Sequence, residues 1–304
     1  MKRWMLAPAV LFAAVTLSAQ TSAQDYLSRY ILLVNKLGPA GVGIETLVNK
    51  WEADYPDDVD MLCAKYNYYF TKCQEERVVP KDQERYLGAQ PLLSLNDSTG
   101  AKVNYFSETF FDDEMYGTAT QALDKAIRLR GDDISLRSTK INSLLSYEKE
   151  SPDMATQALR GLIDYNGTSH PAWKAGEEPF SDEEFVSLMT DYCFTLYRMG
   201  SPACLEAFRS VSEKMLSYYP KNTDFINNLG TYSLAKKDYK AAQKYYAKTL
   251  KLDATNYPAV KNCVIVARKS GNKKLEKKYL QILANISPDE MEKESAKVRL
   301  QSLK

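Results

Sequence analysis

Carboxylates are the one plentiful source of chemistry in this chain. Asp57, Asp58 and Asp60, then Asp112, Asp113 and Glu114, then Asp182, Glu183 and Glu184 form three acidic clusters. Two such groups at the right separation hydrolyse glycosides, and three or four oxygens hold a divalent cation. Each cluster, however, opens a predicted helix, where carboxylates satisfy free N–H groups and favour the positive end of the helix dipole. Capping is therefore the reading adopted for all three. His170 is the only histidine, set in a loop between Ser169 and Pro171. A zinc site built on several histidines is thereby excluded, as is any Ser/His/Asp or Cys/His triad that does not use His170 itself. No Ser or Cys stands in a nucleophile-elbow context, and neither a Cys-x-x-Cys pair nor a glycine-rich phosphate loop is present. The expectation is a chain with no catalytic residues, no metal and no cofactor.

Five cysteines, Cys63, Cys73, Cys193, Cys204 and Cys263, are too few and too scattered for a disulfide framework, and their odd number leaves at least one thiol unpaired or shared between chains. Cys63 and Cys73 fall on one predicted helix, where ten residues at 1.5 Å each set them roughly 15 Å apart, beyond disulfide reach. Cys193 and Cys204 flank one turn and are the pair worth testing. The preferred reading is five small apolar side chains.

The N-terminus bears on the compartment. Lys2 and Arg3 precede an apolar run from Trp4 to Leu17, followed by small and polar residues up to Ala23. That is the layout of a secretory signal peptide, residues 1–23, cleaved after Ala23. The run is shorter than the roughly 18 to 20 residues of a bilayer span, and no Cys stands near the cleavage site to take a lipid. The expected product, 24–304, is a periplasmic protein that is not a lipoprotein. Its charge is divided. Residues 221–304 hold 18 Lys and Arg against 8 Asp and Glu, whereas 24–220 hold 20 against 31. A basic end attracts an acidic protein, an anionic lipid or a glycan, and self-association through the acidic end of another copy is equally open to it. Nucleic acid is excluded by the expected export.

The elements that would position any site follow a period. Thr223 to Glu290 divides into two units, 223–256 and 257–290, with Leu229, Gly230, Tyr239, Ala242, Tyr246, Leu250 and Leu252 in the first and Cys263, Leu280, Leu283 and Ile286 on the same grid in the second. Pro220, Ala254 and Pro288 also stand 34 apart. Here the sequence resembles the tetratricopeptide repeat family, with departures at Thr249, Val264, Lys273 and Glu276. A helical hairpin of this kind leaves an apolar face uncovered, and stacking on its neighbours buries it. The predicted fold is all-α: an α-solenoid of stacked helical hairpins, a tetratricopeptide-like superhelix, with a small β-hairpin insertion.

Helices are predicted over 25–36, 42–54, 58–74, 112–129, 133–149, 152–164, 181–199, 202–219, 222–236, 239–252, 256–270 and 273–285, with a capping helix over 289–303. The insertion, about 75–111, breaks the rhythm: Leu92 to Leu95 and Val103 to Phe106 flank the turn residues Asn96 to Gly100. A second break is expected from Tyr165 to Pro179. The resemblance implies a concave groove lined by first helices. On that pattern Asn227, Asn228 and Thr231 from one unit, and Lys261, Asn262 and Arg268 from the next, project toward a protein or peptide partner, the amides toward its backbone and the cations toward a carboxylate. The function expected is a non-enzymatic scaffold or adaptor of the bacterial periplasm; the alternative is a cell-envelope binder of anionic lipid or glycan through the basic end.

Overall fold

The computed structural model describes residues 23–303. The expected signal peptide, apart from Ala23, lies outside the described residues. The chain runs α1 (23–37), α2 (Ile44–Asp54), α3 (Val59–Lys72), β1 (Gln74–Lys81), β2 (Leu93–Asn96), β3 (Lys102–Phe111), α4 (Asp113–Leu129), α5 (Ile134–Glu148) and α6 (Asp153–Ser169). After the short strands β4 (Lys174–Ala175) and β5 (Glu178–Pro179) come α7 (Asp182–Met199), α8 (Pro202–Tyr218), α9 (Thr223–Ala235), α10 (Tyr239–Leu252), α11 (Tyr257–Lys269), α12 (Lys273–Ile286) and α13 (Glu290–Ser302). Among the described residues no helix is long and apolar enough to cross a membrane. They fall into two compact units: 23–84, 89–147 and 172–180 make the first, and 85–88, 148–171 and 181–303 the second.

In the first unit α3 packs on α4 although the insertion separates them in sequence. Its core gathers Ile44, Trp51, Met61, Leu62, Ala119 and Leu123 from α2, α3 and α4. The indole N–H of fully buried Trp51 donates to Asp58 at 2.9 Å, while the other carboxylate oxygen of Asp58 accepts from the Asp60 N–H and caps α3. Asp112 caps α4 in the same way through the Met115 N–H. The expected hairpin is present as β2 and β3, and a further strand, β1, extends it to a three-stranded antiparallel sheet in the order β1-β3-β2. Strand β1 is hidden from a sequence reading because Gln74, Glu75, Glu76 and Arg77 are exposed and polar, leaving no period-two apolar signal. On the inner face of β3, Phe106 and Asn104 are buried, and Asn104 is satisfied by accepting from the Ser94 hydroxyl and donating to the Gln83 carbonyl.

The second unit shows sequential packing. Each helix from α7 to α13 lies against the next, and α8 also against α6. Every one of these seven helices opens on Ser, Asn or Asp (Ser181, Ser201, Asn222, Asp238, Asn256, Asn272, Asp289) whose side chain accepts a backbone N–H. At α7 the box is reciprocal, with Glu184 returning a carboxylate to the Ser181 N–H. Gly230 allows α9 to lie flat against Tyr246 of α10; a Cβ there would stand 2.5 Å from the ring. The family departures have physical causes. Glu276 on α12 is buried because Arg268 of α11 and Arg299 of α13 both donate to it. Thr249 is fully buried with its hydroxyl unbonded, so its methyl group does the packing of an alanine.

A further correction concerns the expected end of α6 at 164. The helix continues to Ser169, because Asn166 is buried and donates to the Tyr219 hydroxyl at 3.0 Å, and Gly167 accepts the ring of Tyr218. Only then does His170, exposed and at φ 44°, turn the chain out of the helix. A Cβ on Gly167 would meet that ring at 2.3 Å. Gly167→Ala is expected to cost about 1–3 kcal/mol, read from a denaturant midpoint, since overpacking outweighs the gain in helix propensity; a midpoint equal to or above the parent's would contradict the close crossing.

Candidate functional site

Helices α7, α9 and α11 are the first helices of three successive hairpins, and α9 touches both of the others. Cys193, Gly230 and Val264 pack inward: Cys193 Sγ lies 3.5 Å from Ser212 on α8, Gly230 meets Tyr246 on α10, and Val264 shares a core with Leu280 on α12. Counted in sequence from these three residues, equivalent positions hold Asp191, Asn228 and Asn262, then Phe194, Thr231 and Ile265, then Arg198, Ala235 and Lys269.

The residues expected from the sequence divide on this surface. Asn228, Thr231 and Asn262 are half-buried. The Thr231 hydroxyl is 3.2 Å from that of Tyr246, which emerges past Gly230. Asn228 sits beside the Cys193 thiol. Asn227 is instead buried and donates to Asn256 Oδ1, the cap of α11, at 3.0 Å. Lys261 pairs with Glu292 of α13 at 2.9 Å, and this bond, with a further one to the Tyr257 hydroxyl, raises its pKa. Arg268 donates to Glu276 at 3.0 Å. Two of the expected cations are therefore already engaged within the protein.

Sequence reasoning overlooked Phe194 and Tyr197. Phe194 is 59% exposed and Tyr197 44%, and the Arg198 guanidinium lies 5.6 Å from the Phe194 ring centre. Their signal was available: with Phe185, Met189, Cys193 and Leu196 marking the core stripe of α7, aromatics at 194 and 197 fall off its phase. A cavity of about 180 Å³ opens between α11, α12 and α13. Val264, Ile265, Leu280 and Leu283 give it apolar walls, and Lys261 and Arg268 stand at its rim. No family model matches the chain, and no curated protein matches its sequence. Among solved structures it is similar to the flexible tandem repeat domain of a bacterial cellulose synthase component. That alignment covers 92% of this chain and 96% of the other, at 15% identity and a TM-score of 0.27.

A larger cavity, about 370 Å³, lies in the first unit between α2, α3 and α4. Its charges answer one another: Lys65 binds Glu52 at 2.6 Å, Lys125 binds Asp57 at 2.8 Å, and Asp124 is held by Lys140. The thiols are all free. Cys193 and Cys204 do not bridge; the first faces Ser212 and the second the carbonyls of Lys149 and Glu150. Burial pushes the Cys193 thiol up to about 12 and Cys63, Cys73 and Cys263 to about 11, opposite to the shift a nucleophile requires. Of the acidic clusters, Asp58 and Asp112 are occupied as caps, and Asp182 accepts from the Tyr219 hydroxyl.

Proposed function

We propose that the chain is a non-enzymatic protein-binding scaffold or adaptor of the bacterial periplasm, a tetratricopeptide-type array that holds an extended peptide along α7, α9 and α11. The supporting observations are the exposed Phe194 of α7, the half-buried Ile265 of α11 and the apolar cavity that Ile265 lines. Asn262 suits a peptide backbone, Phe194 and Ile265 its apolar side chains, and the cavity has room for one such side chain. Arg198 and Lys269, exposed at the end of the groove, favour an acidic flank. Placement in the periplasm rests on the signal peptide read from the sequence.

The test is capture from an envelope extract by the immobilised chain. Phe194→Ala with Ile265→Ser removes both apolar side chains while leaving the core residues in place. Loss of an exposed aromatic anchor of this kind commonly weakens binding by about 2 kcal/mol, roughly thirtyfold. The partner should therefore disappear from the captured set under stringent washing, with the circular dichroism melt unchanged. An identical captured set in the double variant would reject this groove.

A further inference from the structure

On α10 the residues opposite the buried Ala242, Tyr246 and Thr249 are Lys240, Lys244, Lys248 and Lys251, all exposed. On α12 the exposed Lys274 and Lys278 lie opposite the buried Glu276, Tyr279, Leu280 and Leu283, and Lys273 and Lys277, also exposed, flank that buried face. Both helices pack on α11. Lys240 and Lys274, and likewise Lys244 and Lys278, stand one 34-residue period apart, so the two stripes repeat in register on successive second helices.

Ordinary solvated helices of the same unit balance their cations. On α8 Arg209 lies between Glu206 and Glu213, and on α13 Lys293 pairs with Glu290 and Lys297 with Glu294. Among the described residues none of the eight lysines on α10 and α12 pairs with a carboxylate. The one acid on the two helices, Glu276, is buried and taken by two arginines. Like charges spaced four apart on a helix destabilise it by a few tenths of a kcal/mol per pair. A stripe of four therefore works against folding, which a mixed solvent coat would not do.

We propose that this face rests on an anionic phospholipid bilayer. The chemistry of the patch selects that occupant. All eight cations are lysines, compact point charges on flexible stems; a fixed acidic protein surface is better matched by the planar fork of arginine. Neither cavity lies beneath the patch to read a particular ligand. From Lys240 to Lys251 the stripe extends about 16 Å along α10. A fluid layer of headgroups can bring an anion to each ammonium without prior complementarity, at about 1 kcal/mol per lysine near the surface. The proposed attachment is electrostatic and peripheral, and therefore reversible by salt. It leaves the face formed by α7, α9 and α11 free, and does not depend on what that groove holds.

The experiment is co-sedimentation of the full chain with phosphatidylcholine vesicles and with vesicles containing about one-third phosphatidylglycerol, which gives the surface its negative potential. Residues 1–22 are common to parent and variant, so differences between the two report the lysines. Partitioning onto the anionic vesicles should exceed that onto neutral ones, and should fall steeply as salt is raised through about 0.15 M. Lys240→Gln, Lys244→Gln, Lys248→Gln and Lys251→Gln together should reduce it by roughly two to three orders of magnitude. The Phe194→Ala, Ile265→Ser variant should bind vesicles like the parent. Equal partitioning onto the two kinds of vesicle, or full retention by the quadruple variant, would overturn the proposal. So would tighter binding of soluble polyglutamate than of anionic vesicles at matched charge, which would assign the face to an acidic protein.

Discussion

Removing both arginines around Glu276, in the variant Arg268→Ala with Arg299→Ala, should lower the stability of the second unit by about 3–5 kcal/mol at pH 7, the usual cost of leaving a buried charge without its partner. The Glu276 side chain is 3% exposed, whereas those of Arg268 and Arg299 are 54% and 41% exposed, so the loss comes from the stranded carboxylate rather than from missing packing. The pH dependence makes the prediction specific. In the parent, the bond from Arg299 and, against the opposing effect of burial, that from Arg268 hold Glu276 below the ordinary carboxylate range. A carboxylate depressed in the folded state contributes stability that is complete above its unfolded pKa and disappears as pH falls through the folded value. In the double variant burial acts alone and raises the folded pKa above the unfolded one. Acidification from pH 7 toward about 4.5 should then narrow the gap between variant and parent. Urea titrations at several pH values decide the matter; a gap that is constant or grows on acidification would show that Glu276 is not stranded. Glu276→Met in the same background should recover most of the loss, since an apolar side chain of similar size removes the charge altogether.

Tyr246→Ala is the second large effect, expected at about 3–5 kcal/mol. The ring is fully buried between Gly230 and the core formed by α11 and α12. Tyr246→Phe keeps the ring and loses only the contact with Thr231, at about 1 kcal/mol. Because each helix of this unit is supported by its neighbours, hydrogen exchange in Tyr246→Ala should accelerate in α9, α10 and α11 well before the amides of α3 and α4 change. Uniform acceleration through both units would contradict neighbour-supported stacking.

How much of this was legible from residues alone depended on whether a local signal carried the structure. Helix starts were readable because Ser181, Asn222, Asp238 and Asn256 announce themselves as caps immediately before apolar periodicity. The close approach of α9 to α10 was readable from Leu229 and Gly230 on the 34-residue grid, whereas the Tyr246 ring that meets Gly230 was not. What escaped was settled by contacts distant in sequence. Strand β1 is built from polar residues and exists because Val79, Val78 and Arg77 find Phe106, Ser107 and Glu108 on β3. The last turn of α6 contains Asn, Gly and Thr, poor helix formers, and is held by Tyr218 and Tyr219 from α8 and its end. On α9 and α11, spacing could not show that Asn227, Lys261 and Arg268 had partners within the protein.

The thiols distribute built-in clocks along the chain. Cys63 and Cys73 report on α3 and its end, Cys193 on α7, Cys204 on α8 and Cys263 on α11, with no covalent crosslink tying one to another. Four are buried and the fifth half-buried, so their protection is mechanical: a reagent can reach a sulfur only when the helices over it part. Pulsed alkylation followed by peptide mapping would therefore rank the hairpins by how often each one breathes, without placing a single probe in the molecule.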